Sequence, residues 1–340
     1  MRVLITGIGS VWGSRVARAL EDLGSTEAII GVDTEEPKVE LDTTEFVRAD
    51  EELSIVPRIA RATQVDTILA LHLATDTLHV SKQALHDRNV IGTTNVVAAA
   101  SNDMVRKLVV KGSTHLYGSS YDDPYWFYEQ TARKHPPTDP LERSLIEADD
   151  IVRELGDENR RVQVTRLRFV DVLSGELESP FGRLLQLPIV PEVLGFDPRI
   201  QLVHEVDAVA AVLHATLNQI PGVFNVAGDG VLPWSEVCAI VGKRRAPLPP
   251  LMTGWAAAAL RRLGAPLPDE LLRVIRYGRA VDASAFRAAG YRFTHTTAST
   301  VDDFAEWVRL HAAVGDTEPE YTYDHDTESF LRRSPSVVRD

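Results

Sequence analysis

The residues best suited to chemistry stand at the start of the chain. Thr6-Gly7-Ile8-Gly9-Ser10-Val11-Trp12-Gly13 follows an apolar run, Arg2 to Thr6, and leads into a helix-like segment in which Val16, Ala17 and Leu20 recur at packing spacing. Each glycine of such a strand-to-helix turn has its own task. Gly7 makes the tight turn, Gly9 lets the backbone approach an anion, and Gly13 allows close packing of helix on strand. The free amides of the helix N-terminus then face that anion. Asp33 ends the next strand-like run about 20 residues beyond Gly13, where a carboxylate accepts hydrogen bonds from ribose hydroxyls and repels a 2′-phosphate. The turn and the acid together predict a dinucleotide site that prefers NAD to NADP. Glycines at these spacings also occur in ordinary turns, so the acid carries much of the weight.

Such a site needs a parallel sheet to present it, and the pattern supplies one. Short β-branched runs at Arg2 to Thr6, Ala28 to Asp33, Glu45 to Ala49, Asp66 to Leu71, Lys107 to Lys111 and Val162 to Phe169 alternate with helix-like segments starting near Trp12, Ile55, Leu78, Gly92 and Leu141. Right-handed crossovers between them put helices on both faces. After Asp171, prolines and glycines thicken (Pro180, Pro188, Pro191, Gly195, Pro198), which predicts a smaller, loop-rich region. The expected division is 1–170 for the nucleotide-binding domain, with some later segments returning to it, 171–310 for the smaller region and 311–340 for an acidic, loosely packed tail. From His311 onward there are seven acids and three arginines.

Composition narrows the partners. The 340 residues are 44% hydrophobic and 25% charged, ample for a packed core, and the net charge of −13 repels phosphate backbones and anionic membranes. Nucleic acid is not an expected partner. Cys238 is the single cysteine, so a disulfide framework or cysteine-rich metal site is excluded, and a reducing compartment is expected. His79 and His86 lack ligand-spaced partners, and no metal is expected. Met1 runs straight into the first apolar segment without a charged leader, and 18 consecutive apolar residues occur nowhere, so a cytoplasmic protein without a spanning helix is expected. Neither a nucleophile elbow nor a Walker loop is found.

Over residues 1–310 the chain resembles the extended short-chain dehydrogenase/reductase family, in its NAD-dependent epimerase/dehydratase branch typified by UDP-glucose 4-epimerase. The resemblance rests on the Thr6 to Gly13 turn, Arg48-Ala49-Asp50, Val65-Asp66-Thr67-Ile68-Leu69, Asn89 to Val97, Lys111-Gly112-Ser113-Thr114-His115-Leu116-Tyr117-Gly118, Leu202 to Asp207 and Phe224-Asn225-Val226. It implies a doubly wound α/β sheet of the Rossmann type with a smaller C-terminal α/β substrate-binding region, and NAD held by Gly7, Gly9, Ser10, Val11, Trp12, Gly13, Asp33, Asp50, Leu71, His72, Asn89, Lys111 and Phe169. It further implies a small polar or nucleotide-sugar-like ligand, with Ser113 hydrogen-bonding the reacting oxygen, His115, Asp171 and Arg199 on the substrate side, and a homodimer built on the helices after Gly92 and Leu141. Val96, Val97 and Ala100 are expected to supply one face of that dimer.

Three departures stand out. The family usually has glycine where Ser10 stands, which suggests a shifted pyrophosphate. Family enzymes also carry a tyrosine and, four residues later, a lysine on one helix, and the matching positions here are Leu141 and Leu145. With Ala148, Val152 and Leu155 these leucines form one apolar stripe. A replacement base is then sought among His72, His115, Tyr117 and the aromatic cluster Tyr121, Tyr125 and Tyr128; each also has a plain packing role open to it. His72 stands where the family has a small residue, and a histidine there is expected to titrate near neutral pH. Lastly, Asp171 replaces an amide that helps bind a substrate diphosphate, and Arg199 or Arg183 must neutralise it if an anion is to bind. His204 and Asp207 read as structural joints. Two functions remain open: a divergent enzyme with non-standard hydride and proton chemistry, or an NAD-binding protein without turnover.

Overall fold

The computed structural model describes residues 1–78, 80–177, 179–250, 268–314, 330–332 and 334–338. Its strands are β1 (Arg2–Thr6), β2 (Ala28–Asp33), β3 (Glu45–Arg48), β4 (Thr67–Ala70), β5 (Lys107–Ser113), β6 (Gln163–Phe169), β7 (Asp171–Leu173), β8 (Ile189–Val193), β9 (Arg199–Ile200), β10 (Leu202–His204), β11 (Gly222–Val226), β12 (Leu232–Pro233) and β13 (Arg244–Leu248). The described helices are α1 (Val11–Leu23), α2 (Val56–Ala62), α3 (Lys82–His86), α4 (Gly92–Ala100), α5 (Pro140–Glu158), α6 (Pro180–Gln186), α7 (Glu205–Leu217), α8 (Trp234–Ile240), α9 (Asp269–Tyr277), α10 (Ser284–Ala288) and α11 (Thr297–Val314).

Seven strands form one parallel sheet in the order β11-β6-β5-β4-β1-β2-β3. Both faces of its centre are covered, which is why β1 reads as an unbroken apolar run. Helices α1 and α7 pack on one face over Val16, Leu20, Val109, Leu167, Ala208 and Val212. The other face carries α2, α4 and α5 over Leu4, Ile30, Ile68, Leu108 and Val110. The strand order reverses between β1 and β4, and the crevice at their carboxyl ends is where a ligand belongs.

The smaller region uses paired short strands, β7 with β10, β8 with β13 and β9 with β12, around a core of Phe181, Leu184, Trp234, Val237, Ile275 and Phe304. Asp207 near the start of α7 ties it to the main sheet. Its buried carboxylate accepts from the amides of Thr294 and His295 at 2.8 Å each, from Thr294 Oγ1 at 3.0 Å and from the Tyr291 hydroxyl at 3.2 Å.

Two sequence expectations need correction here. Val96 and Ala100 of α4 have no exposed surface, and Leu141, Leu145, Ala148 and Val152 of α5 are nearly as buried, so these residues face the sheet and supply no dimer face; of the three α4 residues expected there, Val97 alone is partly exposed. Exposed positions on the two helices are Thr94, Ala98, Arg143, Glu147, Asp150, Arg153, Glu154, Asp157 and Glu158, largely polar. Within the expected tail, 334–338 is packed: Ser334 and Ser336 are buried, Arg2 donates to Ser336 O, and Val338 N donates to Ala62 O at 2.9 Å. This close leans on the first strand, while 315–329 lies outside the described residues, as does His79.

Asp207→Ala removes the acceptor from at least four donors at the joint. Stability should fall by about 3–5 kcal/mol, read as a lower urea midpoint with an unchanged slope; a loss under about 1 kcal/mol would contradict the anchoring role.

Candidate functional site

The turn between β1 and α1 is fixed by steric limits. Gly7 has φ +81°, and a Cβ on Gly13 would lie 2.3 Å from Gly7 O. A Cβ on Gly9 would meet Glu35 O at 2.7 Å. Ser10 needs no glycine: its φ is −78°, and its hydroxyl accepts from Gly13 N at 3.1 Å while donating to Gly7 O at 2.9 Å. The serine thus caps α1, which accounts for the departure without displacing the turn. The first-turn amides of α1 keep no intrahelical partner and suit an anion.

Asp33, 1% exposed, lies beside this turn. Its Oδ2 accepts from Gly9 N at 2.8 Å and its Oδ1 from Thr34 N at 2.7 Å. Arg88, which the sequence reading passed over, stands across from it with Nη2 at 3.1 Å from Asp33 Oδ1, Nη1 at 3.4 Å from Glu51 and Nε donating to His72 O at 2.9 Å. Its only sequence signal was its place immediately before Asn89. Asp50 is exposed and caps its own turn through Ser54, away from the cleft.

The cleft itself has a volume of about 230 Å³. Gly7, Ser10, Trp12, Leu71, His72, Lys111, Ser113, His115, Phe169 and Asp171 all line it, so the structure brings together most of the residues singled out from sequence. Trp12 meets Phe169 edge-on, ring centres 5.4 Å apart. Asn89 is fully buried behind the wall, clamping Ala74 N and O and reaching Ser144 Oγ at 3.0 Å.

Two of the candidate bases are disqualified. His72 is 2% exposed, its Nδ1 2.8 Å from Thr6 Oγ1 and its Nε2 3.3 Å from Thr93 Oγ1. Burial, with Arg88 and Lys111 nearby, pushes it down to about 3, so it stays neutral where it was expected to titrate. Tyr117 does not reach the cleft. Its ring stacks on Phe127 at 5.1 Å, and its hydroxyl donates to Asn225 Oδ1 and accepts from Arg168 Nη1, both at 2.9 Å. Burial pushes the phenol's pKa above its ordinary value, so the hydroxyl is a weaker acid still. Leu141 and Leu145 are 1% and 2% exposed in the apolar layer.

His115 remains, 5% exposed, with Nε2 3.0 Å from Asp171 Oδ1. If Nε2 carries the proton toward the carboxylate, Nδ1 is left as a lone pair, and that atom is buried without a hydrogen-bond partner. Burial opposes the charge of Asp171, but His115 and Arg279 outweigh it and hold the carboxyl below its usual range. Arg279 Nη2 lies 3.5 Å from Asp171 Oδ2, so this arginine is the neutralising partner. The two arginines proposed for that task are elsewhere: Arg183 pairs with Asp76 at 2.6 Å, and Arg199 lies over the Tyr125 ring at 3.2 Å.

Arg199 belongs to a second cavity of about 490 Å³, walled by Tyr125, Phe127, Phe196, Arg276 and Tyr277. Arg276 sits 4.9 Å from the Tyr277 ring centre and 5.2 Å from that of Phe196, and its Nε is buried without a partner. Arg279 also lines this cavity, so the Asp171–Arg279 pair is a wall shared by both. Elsewhere, His204, His295 and Asp303 cluster closely, but the imidazoles stack face to face at 4.1 Å, and one ion cannot lie in the plane of both rings.

A doubly wound sheet with a glycine turn and an acid at the end of β2 defines a dinucleotide-binding protein. The profile of the NAD dependent epimerase/dehydratase family matches residues 3–227, and the chain belongs to that family. An uncharacterized protein of Mycobacterium tuberculosis is 30% identical over 311 residues, covering 89% of this chain and 82% of its own. Among solved structures, UDP-glucuronic acid 4-epimerase from Bacillus cereus in complex with NAD is 14% identical at a TM-score of 0.70, covering 93% of this chain and 99% of that one. UDP-glucose 4-epimerase from Thermotoga maritima with UDP-glucose is 17% identical at a TM-score of 0.70, covering 92% and 100%.

The buried His72 predicts acid sensitivity. Its folded pKa lies below the ordinary 6.5, so the unfolded chain binds the extra proton, and stability falls as pH drops from about 6.5 toward 3. Denaturant titrations of His72→Gln against the native chain should show a shallower fall in this window; parallel profiles would exclude a neutral buried His72.

Proposed function

We propose that this protein is an NAD-dependent enzyme of the epimerase/dehydratase type that acts on a nucleotide-sugar-like ligand and moves its proton with His115 and Asp171 instead of a tyrosine and lysine. The observation that carries the reading is the His115–Asp171 contact of 3.0 Å beside Ser113 on the cleft wall. NAD, when bound, supplies a hydride acceptor. The glycine cradle, which a Cβ at position 9 or 13 would fill, fits its pyrophosphate, and Asp33 Oδ2, which accepts from Gly9 N alone, retains a lone pair for a ribose hydroxyl.

The chain's own residues then divide the work. Ser113 Oγ, which accepts from His115 N at 3.2 Å, has a proton to give to a ligand oxygen. Asp171 orients His115, and Nδ1, the ring nitrogen not engaged by the carboxylate, accepts the proton released as the ligand is oxidised and returns it afterwards. In the second cavity Arg199 and Arg276 carry no carboxylate partner among the described residues and stack on aromatic rings. That chemistry suits a planar base with phosphates attached. A binding protein without turnover is the second reading, favoured by the burial of Leu141 and Leu145.

Calorimetry should give tighter binding of NAD than of NADP, because a 2′-phosphate beside Asp33 costs about 1 kcal/mol or more; the reverse order overturns the cofactor assignment. Ordinary UDP-glucose/UDP-galactose interconversion should be absent or slower by many orders of magnitude, since acid–base help alone is worth about 10² to 10⁴. A screen of nucleotide sugars with NAD, followed by chromatography, should find a substrate whose turnover falls about 10²-fold or more in His115→Gln and Asp171→Asn. Undiminished turnover in both variants rejects the pair. Binding of NAD and a nucleotide sugar without turnover of any candidate favours the second reading.

A further inference from the structure

An ammonium buried in a cleft requires an acid or an anionic ligand to offset the loss of water. Lys111 has no acid. Among the described residues its Nζ donates to Leu73 O at 2.8 Å and lies 4.9 Å from the centre of the Trp12 ring. The other cation lining the cleft, Arg88, is already engaged with Asp33, Glu51 and the His72 carbonyl. Lys111 precedes Ser113 by two residues on β5, so both side chains leave the same face of the strand, on the wall that also holds Gly7 and Ser10. On the facing helix Leu145 offers no charge.

We propose that Lys111 is the anchoring cation for the dinucleotide, and that its amine takes up a proton from solvent when the anionic cofactor enters. This rests on the NAD reading above. Burial, with Arg88 adding repulsion and Asp33 opposing it, brings the free amine down to about 7. The other titratable groups around the cleft are His72, His115, Asp171 and Asp76. His72 stays neutral at any ordinary pH. At about pH 8 the free amine is largely neutral, and a neighbouring phosphate favours the ammonium; at about pH 6 the ammonium is present before binding, so little is gained.

Titrating NAD into the full chain in Tris and in HEPES, whose ionisation heats differ, measures the protons exchanged. Uptake should approach one proton at about pH 8 and vanish near pH 6. Lys111→Met should abolish the uptake and weaken NAD about 10- to 100-fold. Lys111→Arg, always charged, should keep affinity within a few-fold while losing the uptake. NAD binding at about pH 8 without proton uptake, or uptake that survives in Lys111→Met, overturns this proposal alone. Failure of the unmodified chain to bind NAD in either buffer overturns the cofactor reading with it.

Discussion

The carbonyl of Gly7 occupies the space a Cβ on residue 13 would need, and the mouth of the sheet takes its form from that contact. Because helix α1 sits directly on the end of β1, its unpaired first-turn amides and the Ser10 cap converge on one point. The same turn brings Gly9 N to the Asp33 carboxylate, so the amides suited to an anion and the acid assigned to the ribose in our proposal are held by one strand-to-helix junction. Bulk at either glycine would push α1 off the sheet, and Trp12, Val16 and Leu20 would lose their apolar neighbours with it.

A consequence follows for the charges. With α5 turned into a dry packing element, the cleft draws its ionisable groups from elsewhere: Lys111 and Asp171 lie on β5 and β7, His115 just after β5, and His72, Asp76 and Arg88 between β4 and α4. Strand positions are set by register, with Lys111 opposite Leu167 and Ser113 opposite Phe169, so these side chains are held as firmly as those of a helix would be. The electrostatic balance is correspondingly tight. Arg88 is paired, Asp171 is paired twice, and among the described residues Lys111 is the cation of the cleft without an acid partner.

The second cavity shows the same economy. Arg279 faces it while contacting Asp171, so one ion pair joins the wall of that cavity to the carboxylate that holds His115. Arg199 and Arg276, laid on Tyr125, Phe196 and Tyr277, keep their stems covered and their guanidinium groups available.

Local signals made the first half of the fold legible. β1 and β2 fall on the residues expected from their apolar runs, and the other strands expected there lie within one or two residues of theirs, because fully buried parallel strands leave continuous β-branched patterns. The glycine turn with Asp33 was equally readable, being a matter of backbone space within one βαβ unit. Reading the apolar stripe of α5 was also enough to see that Leu141 and Leu145 pack and do not react. What the sequence could not decide was pairing across the chain. How His72 and His115 are engaged depends on what surrounds each ring, and only the fold shows Thr6 and Thr93 around one and Asp171 beside the other. That Arg279, 108 residues away, neutralises Asp171 in place of Arg199 is likewise a product of tertiary approach. Composition and period fix which face of an element is apolar; the electrostatics of a site arise from distances between residues remote in sequence, and those exist only once the sheet is assembled.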